Sequence, residues 1–316
     1  MKKVLALVNE KENINYKKIL LEKGIETVFC ETSDEEEIAA AGKDAEAIIF
    51  AGTKFTESLF SKLPNLKIIS RRGIGIDTVD MAAATRHGVK VCNCQGYGAK
   101  DVAQHTVALL LSLIHRIPTY DSRIKTENSW YYLDVPFASR LSEKTVGIVG
   151  FGRISRSVAK VILAFGARVL VFDPFVKSED AEREGVTSVS LDTLLESSDI
   201  ISLNAPLTDG TRHMINAETI GKMKEGAMIV NTSRGPLIDE SALVTALESG
   251  KLSGAAMDVF ESEPFSEDSP LRKLWNVVLT PHVAWHSAEA IRDLDIEVTQ
   301  NIIDYFEGKP LKNALN

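Results

Sequence analysis

Cysteine is scarce: three in 316 residues, Cys30, Cys92 and Cys94, an odd number with no Cys-x-x-Cys pair. That excludes a disulfide framework and a zinc knuckle, and predicts three small buried side chains in a protein of the reducing cytoplasm. Long apolar runs are missing too. The longest, Val107–Ile114, is interrupted by Ser112, and a membrane-spanning helix needs roughly 20 nearly continuous apolar residues. The start, Met1-Lys2-Lys3-Val4-Leu5-Ala6-Leu7-Val8-Asn9-Glu10, has too short an apolar stretch for a secretory signal and reads as a first β-strand. Positive charge is not in excess: 36 basic against 44 acidic residues leave a net charge of −8. This balance argues against a nucleic-acid scaffold, so neither nucleic acid nor membrane is expected as a partner. No low-complexity tract, long linker or short-period repeat is present. What remains is an ordinary composition, 44% apolar and 25% charged, in a chain long enough for about two domains.

Short β-branched runs alternate with helical segments that stop at glycine. Strands are expected at Val4–Val8, Thr27–Cys30, Ala47–Phe50, Leu66–Ile69 and Val89–Asn93, with a helix from about Thr78 to His87 closed by Gly88. An apolar helix follows over Ala99–His115, then a polar, aromatic loop around Asn128, Trp130, Tyr131 and Tyr132. A second βα series opens at Thr145–Val149 and continues through Arg168–Phe172, Ile200–Leu203, Met228–Asn231, Ala255–Val259 and Val277–Leu279. A final helix over Ser287–Glu307 places Ile291, Leu294, Val298, Ile302 and Phe306 at helical spacing before Gly308 and Pro310. The pattern predicts an α/β protein with two doubly wound parallel-sheet domains.

Gly150-x-Gly152-x-x-Ser155 lies between a predicted strand and helix, and Asp173 ends the next strand. Gly150 suits a tight turn, and Gly152 lets the backbone approach a pyrophosphate resting on the helix N-terminus. Asp173 would accept hydrogen bonds from an adenosine ribose and would repel a 2′-phosphate, which selects NAD over NADP. Ser155 stands where this fingerprint usually has glycine or alanine. Three polar residues follow later strands: Arg234 in Asn231-Thr232-Ser233-Arg234-Gly235, Glu263 in Asp258-Val259-Phe260-Glu261-Ser262-Glu263-Pro264, and His282 in Leu279-Thr280-Pro281-His282.

With those motifs the sequence resembles the D-isomer-specific 2-hydroxyacid dehydrogenase family, over nearly the whole chain. Arg71-Arg72-Gly73-Ile74-Gly75-Ile76-Asp77 is similar to the family's substrate-carboxylate loop, and Asp258 to its nicotinamide-amide contact. The resemblance implies a Rossmann NAD domain (99–286) inserted into a flavodoxin-like substrate domain (1–98 and 287–316). It implies NAD contacts at Gly150, Gly152, Arg153, Ile154, Asp173, Ala205, Pro206, Thr211, Thr232, Ser233 and Asp258, and substrate contacts at Ile74, Gly75, Arg234 and Trp285. It further implies a homodimer formed through the NAD domain, with the Ala99–His115 helix as a contact. Trp285 is similar to a tryptophan of the C-terminal-binding-protein branch, which keeps an NAD(H)-responsive interaction protein as the alternative to an enzyme.

The chemistry asks for the same residue types. Oxidising an alcohol beside a carboxylate needs a cation that grips a planar carboxylate, and the guanidinium fork of Arg234 does so. It needs a proton carrier working near neutral pH, His282, and a group to orient that imidazole, Glu263. His282 and His286 stand four apart, but no HExxH glutamate lies between them and no metal is expected. Cys94-Gln95-Gly96-Tyr97-Gly98 lacks the Pro and Asn of many relatives, Gln104 replaces a frequent Glu, and Phe50-Ala51-Gly52-Thr53-Lys54 lacks the arginine cluster with which some members bind phosphate. Lys54, Arg71 and Arg72 are the candidate substitutes. The substrate side chain is therefore left open among small 2-hydroxy and 2-oxo acids. The end of the chain soon after the last helix predicts no C-terminal regulatory extension.

Overall fold

The computed structural model describes residues 2–11 and 13–316. The chain divides into two compact units, one of residues 1–98 and 287–316 and one of residues 99–286. The smaller unit is built on β1 (Lys2–Leu7), β2 (Ile25–Phe29), β3 (Ala47–Phe50), β4 (Ile68–Arg71) and β5 (Lys90–Cys92), all parallel in the order β2-β1-β3-β4-β5. Helices cover both faces of such a sheet, so its inner strands read as continuous apolar runs. Ala47-Ile48-Ile49-Phe50 is such a run, with every residue buried. The Ala288–Phe306 helix returns to this unit, where Ser70 Oγ of β4 donates to the Val298 carbonyl at 3.0 Å. Ser287 caps that helix by accepting the Ala290 N–H at 3.0 Å, as a serine before an apolar-periodic run should.

In the larger unit β6 (Thr145–Val149), β7 (Arg168–Phe172), β8 (Thr187–Ser188), β9 (Ile200–Leu203), β10 (Ala227–Asn231), β11 (Leu252–Met257) and β12 (Val277–Leu279) form a parallel sheet ordered β12-β11-β10-β9-β6-β7-β8. Val146 of β6 pairs with Val169 of β7 on one side and Ile200 of β9 on the other, so the strand order reverses at β6. Ligands of open α/β sheets bind outside the carboxyl ends of strands at such a point.

Several elements differ from the sequence reading. The helix expected from Thr78 is shorter, Met81–Arg86, because Asp80 caps it by accepting the Ala83 N–H at 2.8 Å. Five helices, Glu57–Lys62, Ile117–Thr126, Ser178–Arg183, Leu191–Ser197 and Ala217–Lys222, were not expected, nor was the two-residue β8. The Ala99–Ile114 helix spends its apolar face inside its own unit: Val107, Leu110 and Leu113 pack in one core with Val146, Ile148 and Val158. Exposed apolar surface lies further along, at Trp130 (86% exposed), Leu133 (67%) and Phe137 (94%).

Candidate active site

The fingerprint turn leaves the end of β6. Gly150 has φ +87°, and a Cβ there would stand 2.8 Å from the Asn204 carbonyl, so the turn requires glycine twice over. At Gly152 a Cβ would meet nothing within 4 Å, so the backbone at the start of the Arg153–Ala164 helix lies open to an approaching group. Gly152 caps this helix without any side-chain bond, which suits a phosphate on the helix N-terminus. Ser155 is buried and donates from Oγ to the Gly152 carbonyl at 3.0 Å, so its hydroxyl closes the turn from within. Asp173 follows β7 and is tied to the same turn. Its Oδ2 accepts the Phe151 N–H at 2.7 Å and its Oδ1 the Phe175 N–H at 2.9 Å. A carboxylate offers about four lone-pair positions, so acceptor capacity remains for two ribose hydroxyls. The open Gly152 and the anchored Asp173 together fit an NAD molecule.

Beyond the ends of β9 and β10, two loops are joined by side chains. Ser233 Oγ donates to the Ala205 carbonyl at 2.6 Å, beside Pro206, while Thr211 Oγ1 donates to the Pro206 carbonyl at 2.7 Å. Thr232 Oγ1 lies 2.7 Å from Thr106 Oγ1 on the Ala99–Ile114 helix. Asn231, fully buried, clasps the turn before Arg234: its Oδ1 accepts the Ser233 N–H at 3.0 Å and its Nδ2 donates to the Arg234 carbonyl at 2.8 Å. Arg234 Nη1 donates to the Ser233 carbonyl at 2.7 Å.

Glu263 and His282 meet directly, with Oε2 of Glu263 2.7 Å from Nδ1 of His282. The second carboxylate oxygen, Oε1, accepts the Phe260 N–H at 3.1 Å. Burial by itself raises the Glu263 carboxyl, but the His282 hydrogen bond and charge, the Phe260 amide and the Arg234 charge together outweigh it. The group stays below the usual carboxylate range, and the same balance brings Arg234 within electrostatic reach of the pair.

His282 adopts φ +55°, a conformation that a non-glycine residue holds only when its surroundings impose it. Asp258, with no exposed surface, imposes it. Its backbone carbonyl accepts the His282 N–H at 2.8 Å, its Oδ1 accepts from Thr280 Oγ1 at 2.5 Å and from the Val283 N–H at 3.0 Å, and its Oδ2 accepts the Ala284 N–H at 2.9 Å. His105 stands behind this carboxylate, Nε2 3.1 Å from Thr280 Oγ1 and 3.7 Å from Asp258 Oδ1. Trp285 packs edge-on against the ring of His286, with centroids 5.4 Å apart. In the smaller unit, Ile74 follows β4, half exposed, and its carbonyl accepts from Asn93 Nδ2 at 2.8 Å. Gly75 is the next residue of that loop.

Residues the sequence reading passed over complete the site. Gly235, Thr280, Thr106 and His105 each act across a long stretch of chain, whereas Asn231 braces the turn three residues from itself. Of these only Asn231 and Gly235 had a signal, their position beside Arg234 just after a strand. Among the described residues no group of three or more His, Cys, Asp or Glu could hold a metal ion, and no helix is long and apolar enough to cross a membrane.

Residues 107–284 match the family model described as D-isomer specific 2-hydroxyacid dehydrogenase, NAD binding domain. The chain is 38% identical to a D-3-phosphoglycerate dehydrogenase of Archaeoglobus fulgidus, aligned over 100% of this chain and 59% of that protein. It is 39% identical to a hydroxypyruvate reductase of Thermotoga maritima, over 93% of this chain and 96% of the relative. The chain spans between 50% and 59% of the length of three D-3-phosphoglycerate dehydrogenases that it matches. Among solved structures it is similar to a D-lactate dehydrogenase of Aquifex aeolicus complexed with NAD and lactic acid, with a TM-score of 0.88, 33% identity and 99% of each chain covered.

Proposed function

Since the chain belongs to the D-isomer-specific 2-hydroxyacid dehydrogenase family and carries its NAD-binding domain, we propose that it interconverts a small D-2-hydroxy acid and the matching 2-oxo acid. The reading rests on one observation above all: His282 Nδ1 held by Glu263 at 2.7 Å, within reach of the Arg234 charge, in the unit that bears the fingerprint. NAD, when bound, supplies the hydride chemistry, and the protein supplies binding, orientation and proton transfer. Arg234 grips the substrate carboxylate and polarises the adjoining carbonyl. Glu263 accepts at Nδ1, which leaves Nε2 of His282 as the atom that takes the hydroxyl proton in oxidation and returns it in reduction. Gly150, Gly152, Arg153 and Ile154 are assigned to the pyrophosphate and Asp173 to the ribose. Ala205, Pro206, Thr211, Thr232, Ser233 and Asp258 are assigned to the remainder of the cofactor. The same reading assigns substrate contacts to Ile74 and Gly75 in the smaller unit and to Trp285 in the larger.

The substrate class is that of 3-phosphoglycerate, glycerate or glyoxylate, which share the group Arg234 recognises. We also infer a cytoplasmic homodimer. Its support is the exposed apolar segment with Trp130, Leu133 and Phe137, which a second copy would cover. NADH absorbance followed over a panel of 2-oxo acids tests the activity, with NADPH and Arg234→Ala as controls. Turnover that prefers NADH and vanishes in the variant supports the reading. Tight NADH binding without turnover of any acid overturns it.

A further inference from the structure

Just ahead of Glu263 in the chain, the Glu261 N–H donates to Glu240 Oε1 at 2.6 Å. The neighbouring amide, that of Phe260, donates to Glu263 Oε1 at 3.1 Å, while Glu263 Oε2 lies 2.7 Å from His282 Nδ1. Successive amides of one turn are thus held by two carboxylates, Glu263 from the turn itself and Glu240 from another element.

Glu240 opens the Glu240–Glu248 helix, and its backbone is pinned there. Asp239 caps the helix by accepting the Ser241 and Ala242 N–H groups at 3.0 and 3.1 Å, and its own N–H donates to the Ile215 carbonyl at 2.8 Å. The Glu240 side chain is half-buried. Burial pushes its carboxyl above the usual carboxylate range, the Glu261 amide opposes that shift and the Glu261 charge adds to it. Carboxylates perturbed in this way gather at functional sites.

Glu261 is braced again through its side chain. Its Oε1 meets Nε2 of His213, which adopts φ +50° and donates its N–H to the Pro236 carbonyl at 2.8 Å. Both side chains of this pair are partly exposed, and such pairs contribute little alone. The amide contact with Glu240 therefore carries the hold, and the His213 pair offsets repulsion between the Glu240 and Glu261 carboxylates. Gly235 sets a further limit, since a Cβ there would stand 2.5 Å from the Glu261 nitrogen.

We propose that Glu240 is a positioning residue for the acid–base pair: by accepting the Glu261 N–H it fixes the 260–263 turn so that Glu263 meets His282. The proposal rests on the reading above in which Glu263 orients His282 for proton transfer. Glu240 acts through Glu263, so its effect on turnover requires Glu263 to be present.

A double-mutant cycle on the full chain tests this, with NADH and either hydroxypyruvate or glyoxylate, whichever is reduced faster. Glu240→Met keeps the length of the side chain and removes the acceptor. It should lower kcat by about tenfold and leave the KM for NADH within about twofold of the unaltered value. Glu240→Gln keeps an acceptor oxygen for the Glu261 N–H and should recover most of that loss. In a Glu263→Gln background, Glu240→Met should change kcat by less than about twofold, because residues that act as one unit are not additive. An equal loss in both backgrounds would mean that Glu240 acts without Glu263, and would overturn the proposal. So would a raised KM for NADH with kcat unchanged. Should Glu240→Met not fold, Glu240→Ala takes its place in the cycle.

Hydrogen exchange resolved at single amides needs no turnover. The Phe260 amide should exchange about tenfold faster in Glu240→Met while that of Ile148 in β6 keeps its rate, and Glu240→Gln should leave both near their unaltered rates. A Phe260 rate indifferent to Glu240→Met would overturn the proposal, as would an equal rise at Ile148, which marks a general loss of stability. If the unaltered chain reduces no 2-oxo acid, the dehydrogenase reading fails at that step, and the exchange rates still decide whether Glu240 fixes the turn.

Discussion

Gly235 and Phe260 are packed backbone against backbone: a Cβ on Gly235 would overlap the Phe260 carbonyl and crowd the Glu261 N–H. The loop that presents Arg234 is thus in contact with the loop that presents Glu263, and no flexible side chain can yield between them. Gly235→Ala must push the two loops apart, at a cost of about 1–3 kcal/mol for overpacking. A displacement near 1 Å can reduce catalysis by about 10²-fold. The expected variant therefore melts earlier, keeps its NADH affinity and loses about 10²-fold in kcat/KM. A variant with unaltered kcat/KM would show that the spacing of the two loops does not matter.

The Glu263 carboxyl gives a pH signature. Its folded-state pKa is depressed, so the stability it contributes is present above the unfolded value, about 4.3, and is lost as pH falls through the lower folded value. Near neutral pH the group remains ionised and keeps its hold on His282. Glu263→Gln should flatten the dependence of melting temperature on pH below about pH 4.5, and should lower kcat by about 10²-fold if orientation of the acid–base group is its task. Melting curves from pH 3 to 7 on the order of half-unit steps, together with the pH profile of kcat, read both effects. A kcat unchanged at every pH would remove Glu263 from the mechanism.

Asp173 carries two loads, and one substitution separates them. Asp173→Ala removes both the acceptor of the Phe151 N–H and the charge that repels a 2′-phosphate. NADH should bind about tenfold more weakly and the ratio of NADH to NADPH affinity should fall, in line with the loss of one charge-assisted contact. Fluorescence titration with both nucleotides measures this ratio. If it stays constant while both affinities drop, Asp173 serves only to brace the turn.

How much of this was written locally can be judged residue by residue. β6, β7, β9 and β12 were placed to the residue, because the strands of a helix-covered parallel sheet are short, mostly apolar runs between turn signals. Gly150, Asp173, Arg234, Glu263 and His282 stood out as candidates because each follows the end of such a run. The short Ser178–Arg183 and Leu191–Ser197 helices escaped, since six or seven residues give too little periodicity to stand out. The Ile117–Thr126 helix escaped for another reason: its only apolar residues at helical spacing are Ile117, Tyr120 and Ile124, none of them buried, and its start is marked by Arg116 at φ +56° rather than by a capping side chain. His105 and Thr106 were invisible because their roles arise where distant segments meet, and Gly235 was marked only by its place beside Arg234. Nothing near Gly235 in the chain announces the carbonyl of Phe260.

Asp258 tests which of two tasks a buried carboxylate performs. The family resemblance assigns it to the nicotinamide amide, whereas here its oxygens already accept from Thr280, Val283 and Ala284. Asp258→Asn preserves shape but replaces one acceptor oxygen by an N–H2 donor. Thr280 can rotate its hydroxyl to adapt, but the Val283 and Ala284 amides cannot, so one buried N–H must face another donor, at about 1–3 kcal/mol. Holding the turn therefore predicts a melting temperature lowered by about 2–4 °C per kcal/mol without any cofactor present. His282, released from φ +55°, should lose kcat by about tenfold or more while glycerol and salt leave the deficit unrepaired. If contact with the nicotinamide dominates instead, the cofactor-free melting temperature stays put and NADH affinity alone falls. Thermal melts with and without NADH, set beside the NADH dissociation constant, separate the two, because a residue that holds the turn must cost stability before any ligand arrives.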